Sequence, residues 1–137
     1  MEDCIFCKIV GGELPSYKVY ENNKALAFLD IRPVNYGHTL VIPKEHHENL
    51  IDTPDDLLCE IITVVKRLAP AVKKAVGLKA HNVVVNTGED AGQVVFHTHF
   101  HIIPRFKGDG YGKFRVESYK EGGAEELAEK IIKSLEH

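Results

Sequence analysis

Three histidines stand at period two in Phe96-His97-Thr98-His99-Phe100-His101-Ile102-Ile103-Pro104-Arg105. An unperturbed imidazole has a pKa of about 6.5, so its neutral, nucleophilic form is abundant near neutral pH. Three of them together can divide labour: one attacks, one handles the proton on a leaving group, and one orients its neighbours or holds a metal. Attack on phosphorus gives a covalent phosphohistidine that water later cleaves, which splits a hard displacement into two easier ones. On a β-strand successive side chains point to opposite faces, so His97, His99 and His101 would share one face while Phe100 and Ile102 anchor the other in the core. The plainer alternative is a strand whose histidines face solvent or bind a metal.

A second set of reactive side chains opens the chain. Cys4 and Cys7 are three apart at the start of a short apolar segment, so on a helix both thiols face the same way. The chain has three cysteines, an odd number with no disulfide framework. A reducing, cytoplasmic setting is the default for such a chain, and there a Cys-x-x-Cys points to metal or redox chemistry more often than to a bridge.

The elements that must position these groups can be read from pattern. Cys4 to Val10 reads as a short helix closed by Gly11-Gly12. Tyr17 to Tyr20 and Ala25 to Leu29 read as strands joined by the polar turn Glu21-Asn22-Asn23-Lys24, with Asp30 ending the second. Arg32 to Gly37 is a loop, and His38 to Pro43 a further strand, followed by His46 and His47. Thr53-Pro54-Asp55-Asp56 predicts a helix start, with a Thr cap, Pro at the first helical position and acids in the first turn. The helix runs to Gly77 with a broad apolar stripe from Leu57 to Val76; Pro70 should kink or divide it, and Cys59 reads as a small buried residue. His81 to Asn86 predicts a strand with Val83, Val84 and Val85 buried, Thr87 to Gln93 a Gly-punctuated turn, and Lys107 to Gly112 a loop. Ala124 to Leu135 predicts an amphipathic helix with Leu127, Ile131 and Leu135 near one face. His81 and His137 read as surface residues. The fold class is α+β, an antiparallel sheet of about five strands with one long helix packed on it.

Composition bounds the function. A chain of 137 residues, 44% hydrophobic and 27% charged, fits one ordinary globular domain spanning 1–137. The net charge of −3 argues against a broad electrostatic grip on nucleic acid. No apolar run approaches the roughly 20 residues needed to span a bilayer, and Met1 to Cys4 carries no signal-peptide pattern.

His97-Thr98-His99-Phe100-His101-Ile102-Ile103 resembles the signature of the histidine-triad (HIT) family, in which single, usually apolar residues separate the histidines. Thr98 is a mild departure. Ile5-Phe6-Cys7-Lys8-Ile9, Ala27-Phe28-Leu29-Asp30-Ile31, Gly37 to Lys44 and Asn86 to Gln93 are similar, in order, to the family's other blocks. The match covers about residues 3 to 106 and leaves 107–137 as a loop and C-terminal helix.

That resemblance implies a nucleotide hydrolase or nucleotidyl transferase of the prokaryotic type. His99 would attack the α-phosphate, His101 would serve the leaving atom, and His38 would be a fourth histidine close to the triad. Asp30 would bind the ribose hydroxyls. Ile5, Phe6, Ile9, Phe28, Leu29 and Ile31 would line a purine pocket, and Asn86 and Gln93 would hold phosphate oxygens. Purine nucleoside 5′-phosphoramidates lead as substrates. A dinucleoside polyphosphate hydrolase is the first alternative, and a purine-nucleotide-binding module with little turnover the second. No cofactor is required for catalysis. A structural zinc held by Cys4, Cys7, His46 and His97 is implied, with His47 the alternative to His46; His97 would then stiffen the segment bearing His99. The resemblance also implies a homodimer, with the long helix and an edge strand at its interface, and no nucleic-acid or membrane partner. Val94 departs from a position that often carries Ser or Thr and is thought to help the leaving group. The chain has no Trp.

Overall fold

Five strands and a long helix divide the apolar residues of this chain between the two faces of one sheet. The computed structural model describes residues 3–112 and 114–135, so the expectation for His137 lies outside the described residues. In chain order the elements are α1 (Ile5–Val10), β1 (Lys18–Glu21), β2 (Ala25–Leu29), β3 (Thr39–Pro43), α2 (Asp55–Val76), β4 (Ala80–Val85), β5 (Phe100–Arg105) and α3 (Gly123–Leu135), with a single 3₁₀ turn at Glu89–Ala91. The strands run in the order β1-β2-β3-β5-β4, every neighbouring pair antiparallel. The α+β expectation of five strands under one long helix is met.

Strand parity sets the two layers. Ala25 and Ala27 of β2, Val41 of β3, and Phe100 and Ile102 of β5 face α2 and pack with its Ile61, Val64, Val65, Leu68 and Ala69. The alternate residues, Leu26, Phe28, Leu40 and Ile42, face the other way and enclose Phe6 of α1. Phe28 lies opposite Leu40, Leu40 opposite His101 and His101 opposite Val84, so one cross-strand row carries an imidazole in line with the second apolar cluster. The helix-covered face is structural; the opposite one receives the chemistry.

Several local expectations are corrected. The strand bearing the histidines begins only at Phe100, so of the three His101 alone sits in a ladder, and His97 and His99 lie in the irregular segment before it. Pro54 occupies the cap of α2 with no side-chain cap bond. The Thr53 hydroxyl is used elsewhere: it donates to the Asn49 carbonyl at 2.7 Å and lies 2.7 Å from the Thr98 hydroxyl. Pro70 does not divide α2. It sits on the exposed side, where water can serve the Lys66 carbonyl that its missing N–H leaves free. Cys59 is exposed, because three- and four-residue spacing groups it with the exposed Ile62 and Thr63 rather than with Leu57, Ile61 and Val64. The Val83–Val85 run is not buried: β4 is an edge strand, Val83 is exposed and its neighbours are half covered. In α3, Leu127, Ile131 and Leu135 are all exposed. His81 is partly covered rather than fully exposed.

Gly37 marks a close approach. It holds φ +95, and a Cβ there would come within 2.9 Å of a Val76 methyl. A side chain at this position would push the loop that carries His38 away from α2.

Candidate functional site

Two clusters of polar side chains meet at the histidine segment, and main-chain groups decide what each can do. The β2–β3 connection starts one of them. Asp30 leaves β2 and His38 enters β3, joined by the Asp30 N–H donating to the His38 carbonyl at 2.9 Å. Asp30 caps its own turn, its Oδ1 accepting from the Arg32 N–H at 2.8 Å, while Oδ2 stays 3.7 Å from His38 Nε2. Because β3 pairs with β5, His38 Nε2 also comes within 2.9 Å of His101 Nδ1.

All four imidazoles around this point are held neutral. Burial pushes His38 and His99 below the usual histidine range and lowers His97 and His101 to about 4, with neighbouring imidazoles adding to the shift at His97 and His101. A neutral imidazole carries one proton, so a partner on one nitrogen fixes the role of the other. The Val34 N–H donates to His38 Nδ1 at 3.0 Å, which places the His38 proton on Nε2, aimed at His101 Nδ1. His101 then bears its proton on Nε2, a buried atom with no partner among the described residues. His99 donates from Nδ1 to the His97 carbonyl at 2.7 Å, which leaves a lone pair on its Nε2. One nitrogen is thus set up to attack, and a neighbouring N–H is set up to donate. The two rings are 4.9 Å apart.

A cavity of about 450 Å³ opens over these atoms. His99 and His101 lie in its wall with Ile5, Phe6, Ile9, Phe28, Leu29, Asp30 and Ile31, so every residue expected in a purine pocket lines one concavity. Phe6 stands edge-on to both His97 and His99, with ring centroids at 5.8 and 5.1 Å. Gly92 also lines the cavity. The two residues expected to hold phosphate do not. The Gln93 amide donates to the Glu48 and Val95 carbonyls at 2.7 and 3.2 Å, and its oxygen accepts from the Gly88 N–H at 2.9 Å, so the side chain is committed to main-chain partners. Asn86 sits beside Gly92 instead, its amide nitrogen 3.7 Å from where a Cβ would stand.

The second cluster joins Cys4, Cys7, His46 and His97, each offering one ligand atom. His97 donates from Nε2 to the Pro43 carbonyl at 2.8 Å, which turns the Nδ1 lone pair toward the cysteines. Cys4 Sγ and Cys7 Sγ lie 3.3 and 3.6 Å from that atom, His46 Nδ1 lies 3.2 Å from it, and His46 Nδ1 is 3.4 Å from Cys7 Sγ. A tetrahedral zinc with ordinary Zn–S and Zn–N bonds has ligand–ligand edges of about 3.3–3.8 Å, so the four atoms fit such an ion. His46 is the inward neighbour; His47 turns away to Glu45 at 2.6 Å. Burial and the adjoining Cys4 raise the Cys7 thiol to about 11, so without a metal it keeps its proton.

Three residues read otherwise from the sequence, Thr98, Thr53 and Gln93, hold the clusters in register. The Thr98 N–H donates to the His47 carbonyl at 2.8 Å, and the Thr98 hydroxyl lies 3.2 Å from the same oxygen. With the Thr53 hydroxyl and the Gln93 amide, these bonds fasten the loop carrying His46 to the segment carrying His97 and His99. The departure at Thr98 from an apolar pattern was the one signal of this.

The model of the HIT domain matches residues 11–108. "Protein hit" of Bacillus subtilis is 46% identical over 138 residues, covering 98% of this chain and 95% of its own. "Adenosine 5′-monophosphoramidase HNT1" of Saccharomyces cerevisiae is 48% identical over 102 residues, 74% of this chain and 62% of its own. The crystal structure of SMU.412c from Streptococcus mutans superposes with a TM-score of 0.94 at 42% identity, covering 99% of this chain and 87% of that one. A Zn-bound histidine triad family protein from Mycobacterium smegmatis superposes with a TM-score of 0.77 at 38% identity, covering 98% of this chain and 99% of that one. With the domain model spanning most of its length and the triad in place, the chain belongs to the histidine triad (HIT) family.

Proposed function

We propose that this protein hydrolyses purine nucleoside 5′-phosphoramidates through a nucleotidyl intermediate on His99. The observation that carries the reading is the pair of fixed tautomers: a lone pair on His99 Nε2 and a proton on His101 Nε2, both in the wall of one cavity. The apolar wall from Ile5 to Ile31 suits a purine, and Asp30 Oδ2, left free by its turn, suits the ribose hydroxyls.

In the first half-reaction the Nε2 lone pair of His99 forms a bond to the α-phosphorus and the P–N bond breaks. The leaving nitrogen takes the His101 Nε2 proton, while His38 keeps its Nε2 proton and holds it as a hydrogen bond to His101 Nδ1, steadying the charge left on that ring. The enzyme is then one proton short along this relay, a charge balanced by the nucleotidyl-imidazolium on His99. In the second half-reaction water attacks phosphorus, its proton refills the relay, and the nucleoside monophosphate leaves. Each buried imidazole starts neutral, so His99 attacks without first losing a proton.

Zinc at Cys4, Cys7, His46 and His97 would be structural. It would fix His97, whose carbonyl orients His99, and would tie α1 and its Phe6 to the cavity. The zinc-bound relative supports this part of the reading. A homodimer through β4 and the outer side of α2 fits the exposed Val83 and Ile62 there. The yeast relative supports the substrate class by its name. The test is turnover of adenosine 5′-phosphoramidate by the wild type and by His99→Ala. The reading requires activity in the first and its abolition in the second; equal rates, or none in the wild type, overturn it.

A further inference from the structure

The displacement at phosphorus needs the His38 proton on Nε2, and the Val34 N–H is the group that puts it there. That amide lies in the loop between β2 and β3, so whatever fixes the loop fixes the tautomer. Asn35 is tied on both sides. Its carbonyl accepts from the His38 N–H at 3.1 Å. Its side-chain amide donates to the Pro104 carbonyl of β5 at 2.9 Å and to Asp109 Oδ2 at 3.0 Å. A carbonyl and a carboxylate can only accept, so the amide must turn its nitrogen to them.

Asp109 is held in turn. Its side chain is only 3% exposed, and besides Asn35 it accepts from Arg105 Nε at 2.6 Å, Arg105 Nη2 at 3.0 Å and the Tyr111 N–H at 3.2 Å. Arg105 also donates to Asn82 Oδ1 of β4 at 2.7 Å and to the Tyr111 carbonyl at 2.9 Å. The forked Arg105–Asp109 pair and the Tyr111 contacts are enough to close the loop after β5. Asn35, 74 residues away in the chain, is an added partner, and it is the one that leads to the histidines. Asp109 stands one residue beyond the stretch that matches the HIT domain, 11–108.

We propose that Asn35 and Asp109 are positioning residues that act through His38: they hold the Val34 N–H against His38 Nδ1 and so keep the His38 proton aimed at His101. The kinetic consequence rests on the phosphoramidate reading; the tautomer does not. When the hold is lost, the His38 proton is free to sit on Nδ1. A bare His38 Nε2 then faces His101 Nδ1, and His101 carries its own proton on Nδ1 to meet it. His101 Nε2 is left with a lone pair, and the leaving nitrogen finds no donor. Neither Asn35 nor Asp109 lines the nucleotide cavity, so substrate binding is untouched.

Long-range proton–nitrogen NMR spectra of the isotope-labelled full chain read each histidine tautomer, with His38→Asn identifying the His38 signals. The wild type should show His38 protonated on Nε2. Asn35→Ala, and separately Asp109→Ala, should move it toward a mixture of the two forms. With adenosine 5′-phosphoramidate as substrate, Asn35→Ala should lower kcat by about threefold to tenfold and leave KM unchanged. In a His38→Asn background the same substitution should cost nothing further, because its effect passes through a ring no longer present. Asp109→Ala loosens the hold from the far end and decides the matter if Asn35→Ala does not fold. A wild-type His38 protonated on Nδ1, a tautomer that the folded variants leave unchanged, or a loss in kcat that multiplies undiminished with that of His38→Asn overturns the inference. A wild type that turns over nothing overturns the hydrolase reading, while the spectra still decide the hold on His38.

Discussion

The two polar clusters of this protein are built from similar residues and do opposite things. Cys4, Cys7, His46 and His97 bring four ligand atoms together, and so do Asp30, His38 and His101 with three. In the first, main-chain contact through the Pro43 carbonyl takes the His97 proton to the far side, and lone pairs converge. In the second, the Val34 amide forces donor and acceptor to alternate, and a chain of protons ends on the buried Nε2–H of His101, a residue of the cavity wall. A convergence of lone pairs can hold a metal ion; an alternation of donors and acceptors can pass or steer a proton. The difference lies in which backbone group holds the other nitrogen of each ring, and His99 stands between the clusters because the His97 carbonyl is its orienting partner.

Substitutions can break this comparison at several points. His99→Ala removes the nucleophile and should lower kcat/KM by about 10⁴-fold or more, while zinc content measured by metal analysis stays at one per chain. Equal loss of zinc would mean that the clusters are not separate. His101→Asn should cost about 10²-fold in kcat, because the proton donor is lost while the pocket is kept. His38→Asn acts one step further out and should cost about tenfold, with KM unchanged. A larger loss for His38 than for His101 would reverse the order of the relay. On the other side, Cys4→Ser/Cys7→Ser should abolish zinc binding and lower unfolding stability by about 3 kcal/mol, read from urea midpoints, with a smaller effect on the chemical step. Full stability and unchanged zinc would sink the metal assignment.

The pH dependence sharpens the picture with a smaller effect. Burial, with His99 and His38 beside it, holds His101 down to about 4 in the folded chain, against the ordinary imidazole value of about 6.5 when unfolded. Between these values the unfolded chain binds more protons than the folded one, so this contribution to stability is complete above about pH 6.5 and falls as the pH drops toward 4. Denaturant midpoints measured across this window should decline with falling pH. A flat profile would mean that the His101 ring is not held neutral by burial.

Much of this organisation was legible in the chain. The apolar run Ala25 to Leu29, returning after the polar turn, matches β2 to the residue, and the polar loop before Thr39 set β3 within one. The pairing of Cys4-x-x-Cys7 with His46 rather than His47 followed from resemblance, and the fold brings those atoms together with His97. Other features depend on partners remote in sequence. No spacing reveals that Pro43 and Val34 decide the tautomers of His97 and His38. The amide of Gln93 reads as a phosphate ligand until the Glu48 carbonyl 45 residues away claims it. Period two at His97 and His99 suggested a strand, yet Thr98 bonds the loop at His47 instead of a sheet neighbour, which delays the ladder until Phe100. The exposure of Val83, Cys59 and the apolar residues of α3 reflects where the strand and helix faces fall, which local hydrophobicity does not record.

The central claim is that His99, and neither of its two neighbours, forms the covalent intermediate. Rapid acid-free quenching of the wild type during turnover of an adenosine 5′-phosphoramidate, followed by peptide mass spectrometry, tests it directly. The predicted result is an adenylyl group on the peptide containing residues 97–101, fragmenting to His99 and absent in His99→Ala. An adduct on His97 or His101, or steady turnover with no adduct at any time point, would contradict it.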